Sequence, residues 1–387
     1  MTETMQALYD ERVAKFKAAA DLQKPTQIPI SFEVSYWPIE YGGAKTYDIL
    51  GDKEKMRDAY IKIFDDIYCD GMHGTTISVA LKAVEALGGK TYIMSSDGIT
   101  IQHISKCWME SDEYDDATKD PQGFGINVVG RRKFEKLNGT KDEVYAALKE
   151  AAIELKKHRE GTALIASHLK EHKAILVTQK SGLSLPPICV VFDYYRSIKN
   201  TLLDMRRNNS RLHDLCEALL PYSIGSGLEA DDGSYPPFFT TAIHSPAFYG
   251  PKEFKEFYLP HYKKQIDIIA AKNGKVKIRS EGYFAYGMEI LADEYPKLFT
   301  FMFDQDSPYD HYESLKGRAT IQAGIKNNQL KYLSVQECID LAKKSLDTFG
   351  PDGGYIFSTD KSILCGNEVK AENLIAVFDY VHENGKY

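Results

Sequence analysis

The sequence predicts an α/β chain, a (β/α)8 TIM barrel with an N-terminal helical extension and inserted loops, and three observations predict it. First, from residue 186 onward six apolar runs, PICVVFDYYR, FFTTAIHS, KVKIRSEG, LFTFMFDQD, RATIQAG and GGYIFSTDK, each hand over to polar or charged residues. Those residues are Asp193, His244, Arg279 with Glu281, Asp304 with Asp306, Gln322, and Ser358 with Asp360. Second, helical stretches lie between the runs, at 197–219, 251–272, 284–296, 334–348 and 371–383. Strands alternating with helices make parallel βαβ units, whose right-handed crossovers can close into a barrel. Third, no GxGxxG or GxxxxGK turn is present, as a doubly wound nucleotide-binding sheet would require. Adding PISFEV and one of TYIMSS or TALIAS brings the strand count to eight. A barrel builds its site from the carboxyl ends of its strands, which is where this chain keeps its charges.

Taken in order, the chain opens with a polar amphipathic helix at about 4–22, and the expected organisation is a single barrel domain over 1–387. That opening lacks the apolar core of a secretory signal, so a cytoplasmic location is expected. PISFEVSYW is apolar and alternating, a first strand that ends near Glu33 and Tyr36. Residues 53–70 carry Met56, Tyr60, Ile63, Phe64 and Ile67 at helical spacing, and the turn YCDGMHGTT then gathers Asp70 and His73 between glycines. Residues 78–88 are helical, TYIMSS is a short strand, and about 97–140 is a polar elaboration on the scaffold. A helix at about 141–159 ends in lysines and an arginine that suit its dipole.

Composition narrows the function classes. The balance of 48 basic against 55 acidic residues gives −7 and argues against a broad nucleic-acid surface. The two basic clusters, GRRKFEK and RRNNSR, read as solvated helix faces or rims. Six cysteines are scattered without a CxxC pair, so neither a disulfide framework nor a zinc knuckle is expected. No run approaches the roughly 18 apolar residues of a membrane span.

The stretch GKVKIRSEG carries the chemistry. Val276 and Ile278 point one way, while Lys277, Arg279 and Glu281 alternate between them up to a glycine. Charges on an apolar strand are costly to place without a purpose, although a surface ion pair is the bland alternative. In a barrel, His244, Arg279, Glu281, Asp304 and Asp306 share one mouth, with Asp193, Gln322, Asp360 and Lys361 around them. Such a set can do acid and base work, bind a carboxylate through Arg279, or hold a metal through His and carboxylates. Asp304 and Asp306 precede SPYD and also read as turn caps, and His244 before Ser245-Pro246 as a helix start.

FFTTAIHSPAFYGPKEFKEFYLPHYKKQID, the strand ending RSEG, and GGYIFSTDK with KAENLIAVFDYV together resemble the uroporphyrinogen decarboxylase superfamily. The match is nearer its corrinoid-dependent methyltransferases than the decarboxylase. It covers most of 186–383 as an overall pattern, not as one diagnostic motif. The resemblance implies a barrel that docks a separate cobalamin-carrying protein over its mouth and moves a methyl group to or from cobalt. Zinc enzymes of the family carry His-x-Cys at the end of the strand matching KIRSEG, and a further Cys near the last strand. Here Arg279 and Glu281 stand in the first pair, and Lys361 stands near the last, with Cys365 four residues on. That departure puts thiolate zinc chemistry in doubt and favours the half-reaction in which a methyl group leaves a donor, such as an aryl methyl ether in an O-demethylase component.

In that half-reaction reduced cobalt is already a strong nucleophile, so the protein must help the oxygen leave, by a proton or a Lewis acid. The expected catalytic residues are His244, Glu281, Asp304 and Asp306. The expected substrate contacts are Arg279, Tyr36, Asp193, Tyr283, Gln322 and Lys361, and a zinc ion, if used, would draw on His244, Glu281 and Asp304. Trp37 and Phe248 are further rings that could stack on an aryl group. A tetrapyrrole decarboxylase is the rival enzyme, but PISFEVSYWPIEYGG offers no arginine for acetate groups. A noncatalytic ligand-binding barrel is the rival from another class. Barrel helices can pair, which leaves a homodimer open.

Overall fold

The computed structural model describes residues 1–74, 77, 79–177, 185–225 and 238–387. Eight strands form one parallel sheet: β1 Ile30–Phe32, β2 Gly71–Met72, β3 Leu176–Val177, β4 Phe238–Ile243, β5 Lys275–Ser280, β6 Phe299–Met302, β7 Thr320–Ile325 and β8 Tyr355–Thr359. Their order is β3-β2-β1-β8-β7-β6-β5-β4, the sequential order of a (β/α)8 barrel. Among the described residues no ladder joins β3 to β4, so the sheet is curled and TIM-barrel-like rather than closed. Register is set by the long strands, with Arg279 level with Ala242 on one side and Met302 on the other.

The carboxyl-terminal half follows the pattern that its sequence predicts. Helices Ala285–Glu294, Val335–Phe349 and Ala371–Asn384 separate or follow the strands, and each turns a buried apolar face to the sheet. Ser334 and Glu337 form a capping box that starts the second of these, satisfying backbone donors reciprocally. Gly282 ends the KIRSEG run at φ +91°, a conformation that a side chain disfavours, and an added Cβ would lie 2.6 Å from Ala247 Cβ.

The first half departs from expectation in three places. PICVVFDYYR is helical, as Pro187–Val190 and a wider-coiled turn Val191–Tyr195, because Pro186 and Pro187 preset a helix start and its apolar residues are buried as a cluster. TALIAS lies inside the 33-residue helix Lys141–Lys173, whose buried residues fall on one face, Ala147 and Ala151 and then Gly161, Ile165 and Leu169, four apart within each group. TYIMSS contributes Tyr92–Met94, which pairs antiparallel with Ile101–His103 in a hairpin apart from the main sheet. The two remaining barrel strands are instead β2 and β3, of two residues each. The helical reading over 53–70 resolves into Lys53–Tyr60 and Ile63–Asp66, and positions 75, 76 and 78 of the turn and next helix lie outside the described residues.

Asp70 belongs to the amino end of the sheet. Its Oδ2 accepts from the Ile30 amide at 2.9 Å, and its Oδ1 lies 3.3 Å from Lys15 Nζ on the helix Glu3–Ala20. All three groups are buried, as is Arg12, which donates to the Lys173 carbonyl at 2.7 Å. This network clamps the first helix under the barrel, far from the carboxyl ends where barrel sites form. No helix among the described residues is long and apolar enough to cross a membrane.

Candidate active site

The sheet interior holds a buried ion pair that crosses the barrel. Lys277 Nζ on β5 lies 2.6 Å from Glu33 Oε1, just past β1, although the residues are 244 apart in sequence. Ser31 Oγ and Gln322 Nε2 donate to the same oxygen at 2.8 Å each, and Glu33, Lys277 and Gln322 are all buried. Parallel barrel strands are covered on both faces, so charged residues alternating with apolar ones must find partners inside. Burial alone would raise the Glu33 carboxyl, but the Lys277 and Arg279 charges hold it well below the usual carboxylate range. Burial moves Lys277 the other way, downward, with Glu33 opposing. Burial, reinforced by the Lys277 and Arg279 charges, holds the His73 imidazole down to about 3, so it is neutral at physiological pH.

Arg279 lies two residues nearer the mouth on the same face as Lys277. It is half-buried, and its Nη2 donates to Ser362 Oγ. One strand over, immediately after β4, His244 Nε2 lies 2.8 Å from Asp193 Oδ1. Burial would lower His244, but the hydrogen bond and charge of Asp193, helped by Glu281, outweigh it and raise the imidazole above its ordinary value. Lys133 neighbours this pair. Burial takes its ammonium down to about 8 against the opposing charge of Asp193, and it sits 4.6 Å from the Tyr194 ring centroid. The reading of GRRKFEK as a solvated face therefore fails at Lys133, which is half-buried.

The other predicted residues fall into place individually. Tyr36 is buried, its hydroxyl is hydrogen-bonded to the Ile101 backbone of the hairpin, and burial pushes it up to about 12. Asp306 Oδ2 accepts from the Phe284 and Ala285 amides at 2.6 and 2.8 Å, capping helix Ala285–Glu294. Asp304 Oδ2 accepts from the Gly282 amide at 2.9 Å, and its Oδ1 is 3.9 Å from Lys361 Nζ. Both aspartates thus satisfy backbone donors of the turn after β5. Tyr283 is 67% exposed and Glu281 is exposed. Asp360 accepts from the Asn327 amide at 2.9 Å, and burial raises its carboxyl. Among the described residues no three His, Cys, Asp or Glu side chains are arranged to hold a metal ion. The described donors therefore do not fit a zinc site: His244 faces Asp193, and Asp304 faces a backbone amide.

Residue typing alone passed over Glu33 and Lys277 as site residues. The signal was the charge at a strand position whose neighbours are apolar. What was missing was the partner across the barrel.

These features define a TIM-barrel-like α/β protein with a titratable pair at its mouth and a half-buried guanidinium that, among the described residues, meets a hydroxyl and no carboxylate within ion-pair distance. The fold is similar to that of a solved methyltransferase from Methanosarcina mazei, with a TM-score of 0.64 over 95% of this chain and 97% of that one, at 15% sequence identity. No family model and no curated protein matches the sequence.

Proposed function

We propose that this chain is an enzyme that moves a methyl group from a small methylated oxygen donor, such as an aryl methyl ether, to a corrinoid carried by a partner protein at the barrel mouth. The observation that carries the reading is His244, held 2.8 Å from Asp193 just past the carboxyl end of β4, a partner that favours its protonated form and so suits it to give a proton. The fold shared with a methyltransferase supports the same reading. The corrinoid is a substrate here, the methyl acceptor, whose reduced cobalt attacks the methyl carbon. The carbon–oxygen bond breaks with its electron pair on oxygen, and His244 gives its proton to that oxygen. Asp193 keeps the imidazole oriented and stabilises its charged form before transfer. Glu281 adds negative potential beside His244. No step calls on zinc.

The test is anaerobic absorption spectroscopy of reduced cobalamin, free and on a carrier protein, with this chain and a panel of methoxylated aromatics and methylamines. Methylation of the corrinoid by an ether donor, lost in His244→Ala and slowed in Asp193→Asn, is the expected result. Transfer from methylamines only, or unchanged transfer in His244→Ala, would overturn the acid role. No transfer from any donor with a competent carrier would overturn the methyltransferase reading.

A further inference from the structure

Two cations, Lys277 and Arg279, point to the same interior face of β5, and among the described residues one carboxylate, Glu33, pairs with them there. Glu33 meets Lys277 at 2.6 Å, and Ser31 and Gln322 complete the surroundings of its Oε1. Arg279 is left with a neutral hydroxyl, that of Ser362, and among the described residues no carboxylate lies within ion-pair distance of it. A guanidinium has five N–H donors in a planar fork and keeps its charge at any working pH. Half-buried beside a second buried cation, it is held at an electrostatic disadvantage that an anion would relieve.

We infer that Arg279, with the Ser362 hydroxyl beside it, is the seat of a substrate carboxylate. The guanidinium accepts a carboxylate side-on through two parallel N–H···O bonds, and Ser362 Oγ, while accepting from Arg279, has its own proton to donate. Assigning that carboxylate to a methyl donor rests on the methyl-transfer reading; the seat itself does not. Ala242 is level with Arg279, and His244 follows just past the end of the neighbouring strand. A donor with its carboxylate at Arg279 and its ether oxygen toward His244 is a methoxylated carboxylic acid.

The experiment is titration calorimetry of wild-type protein, without corrinoid, using 4-methoxybenzoate and its neutral isostere 4-methoxybenzamide. The acid is expected to bind about tenfold or more tightly than the amide, the range of a hydrogen bond to a charged group. Arg279→Met is expected to erase that preference, and Arg279→Lys to restore part of it. Equal binding of acid and amide by the wild type, or no binding of either, would overturn the seat whatever the variants do. Acid-selective binding without methyl transfer from 4-methoxybenzoate would uphold the seat and remove its assignment to a methyl donor.

Discussion

Lys277→Met separates the buried ion pair from everything around it. The substitution conserves most of the side-chain length and removes an ammonium 2.6 Å from a carboxylate that is 1% exposed. Deleting one partner of a buried pair costs about 3–5 kcal/mol, and the low end applies here because Gln322, Ser31 and the Arg279 charge still serve Glu33. Glu33→Gln leaves Lys277 without its counter-ion and is expected to cost a similar amount. The double variant leaves no uncompensated charge in that pair, so its cost falls below the sum of the singles by about 2–3 kcal/mol. Urea unfolding followed by the fluorescence of Trp37 and Trp108, both buried, measures all three variants. Additivity within about 0.5 kcal/mol would refute the coupling. The pH dependence supplies a second check. Glu33 has a lowered pKa in the folded state, so its contribution is complete above the ordinary carboxylate value near 4.5 and is lost as pH falls below that. Lys277→Met removes part of the lowering, so the variant loses less stability on acidification than the wild type does.

Three further outcomes test separate parts of the structure. Nuclear magnetic resonance titration of His244 is expected to give a pKa above 6.5 in the wild type and a lower one in Asp193→Asn, where burial is less opposed. Because the folded value is raised, the pair's stabilisation is complete below 6.5 and is lost as pH rises through the folded value; an unshifted Asp193→Asn titration would contradict this. Asp306→Ala removes the acceptor of two amides at the start of helix Ala285–Glu294 and is expected to cost about 1 kcal/mol in urea unfolding, with His244 titrating as before. Gly282→Ala meets both a φ of +91° and Ala247 Cβ at 2.6 Å, and a cost of about 1–3 kcal/mol is expected, whereas a neutral result would refute the strain argument.

Several elements were legible because their chemistry is local. The strands KVKIRS, TIQAGI and YIFST announce themselves by length and β-branched content. PICVVFDYYR misleads because a short apolar run is the same string whether it is a buried strand or a buried helix. Gly71–Met72 and Leu176–Val177 are too short to show any period, and only pairing with Ser31 and Phe32, and then with each other, makes them strands. At the site, the alternation of Lys277 and Arg279 with Val276 and Ile278 was readable, whereas Asp193 reaches His244 from a helical turn and not from the strand end that its sequence predicts.

By itself the sequence determined which positions carry charge on otherwise apolar strands, since period 2 is a property of neighbouring residues. Tertiary structure alone decided what each charge does. Lys277 became the buried partner of Glu33, and Asp304 and Asp306 became acceptors for the amides after β5. Arg279 was left with a neutral hydroxyl. The physical reason is that the free energy of a buried charge depends on what lies within a few ångströms of it, and residues 244 apart in the chain come that close only when the sheet curls.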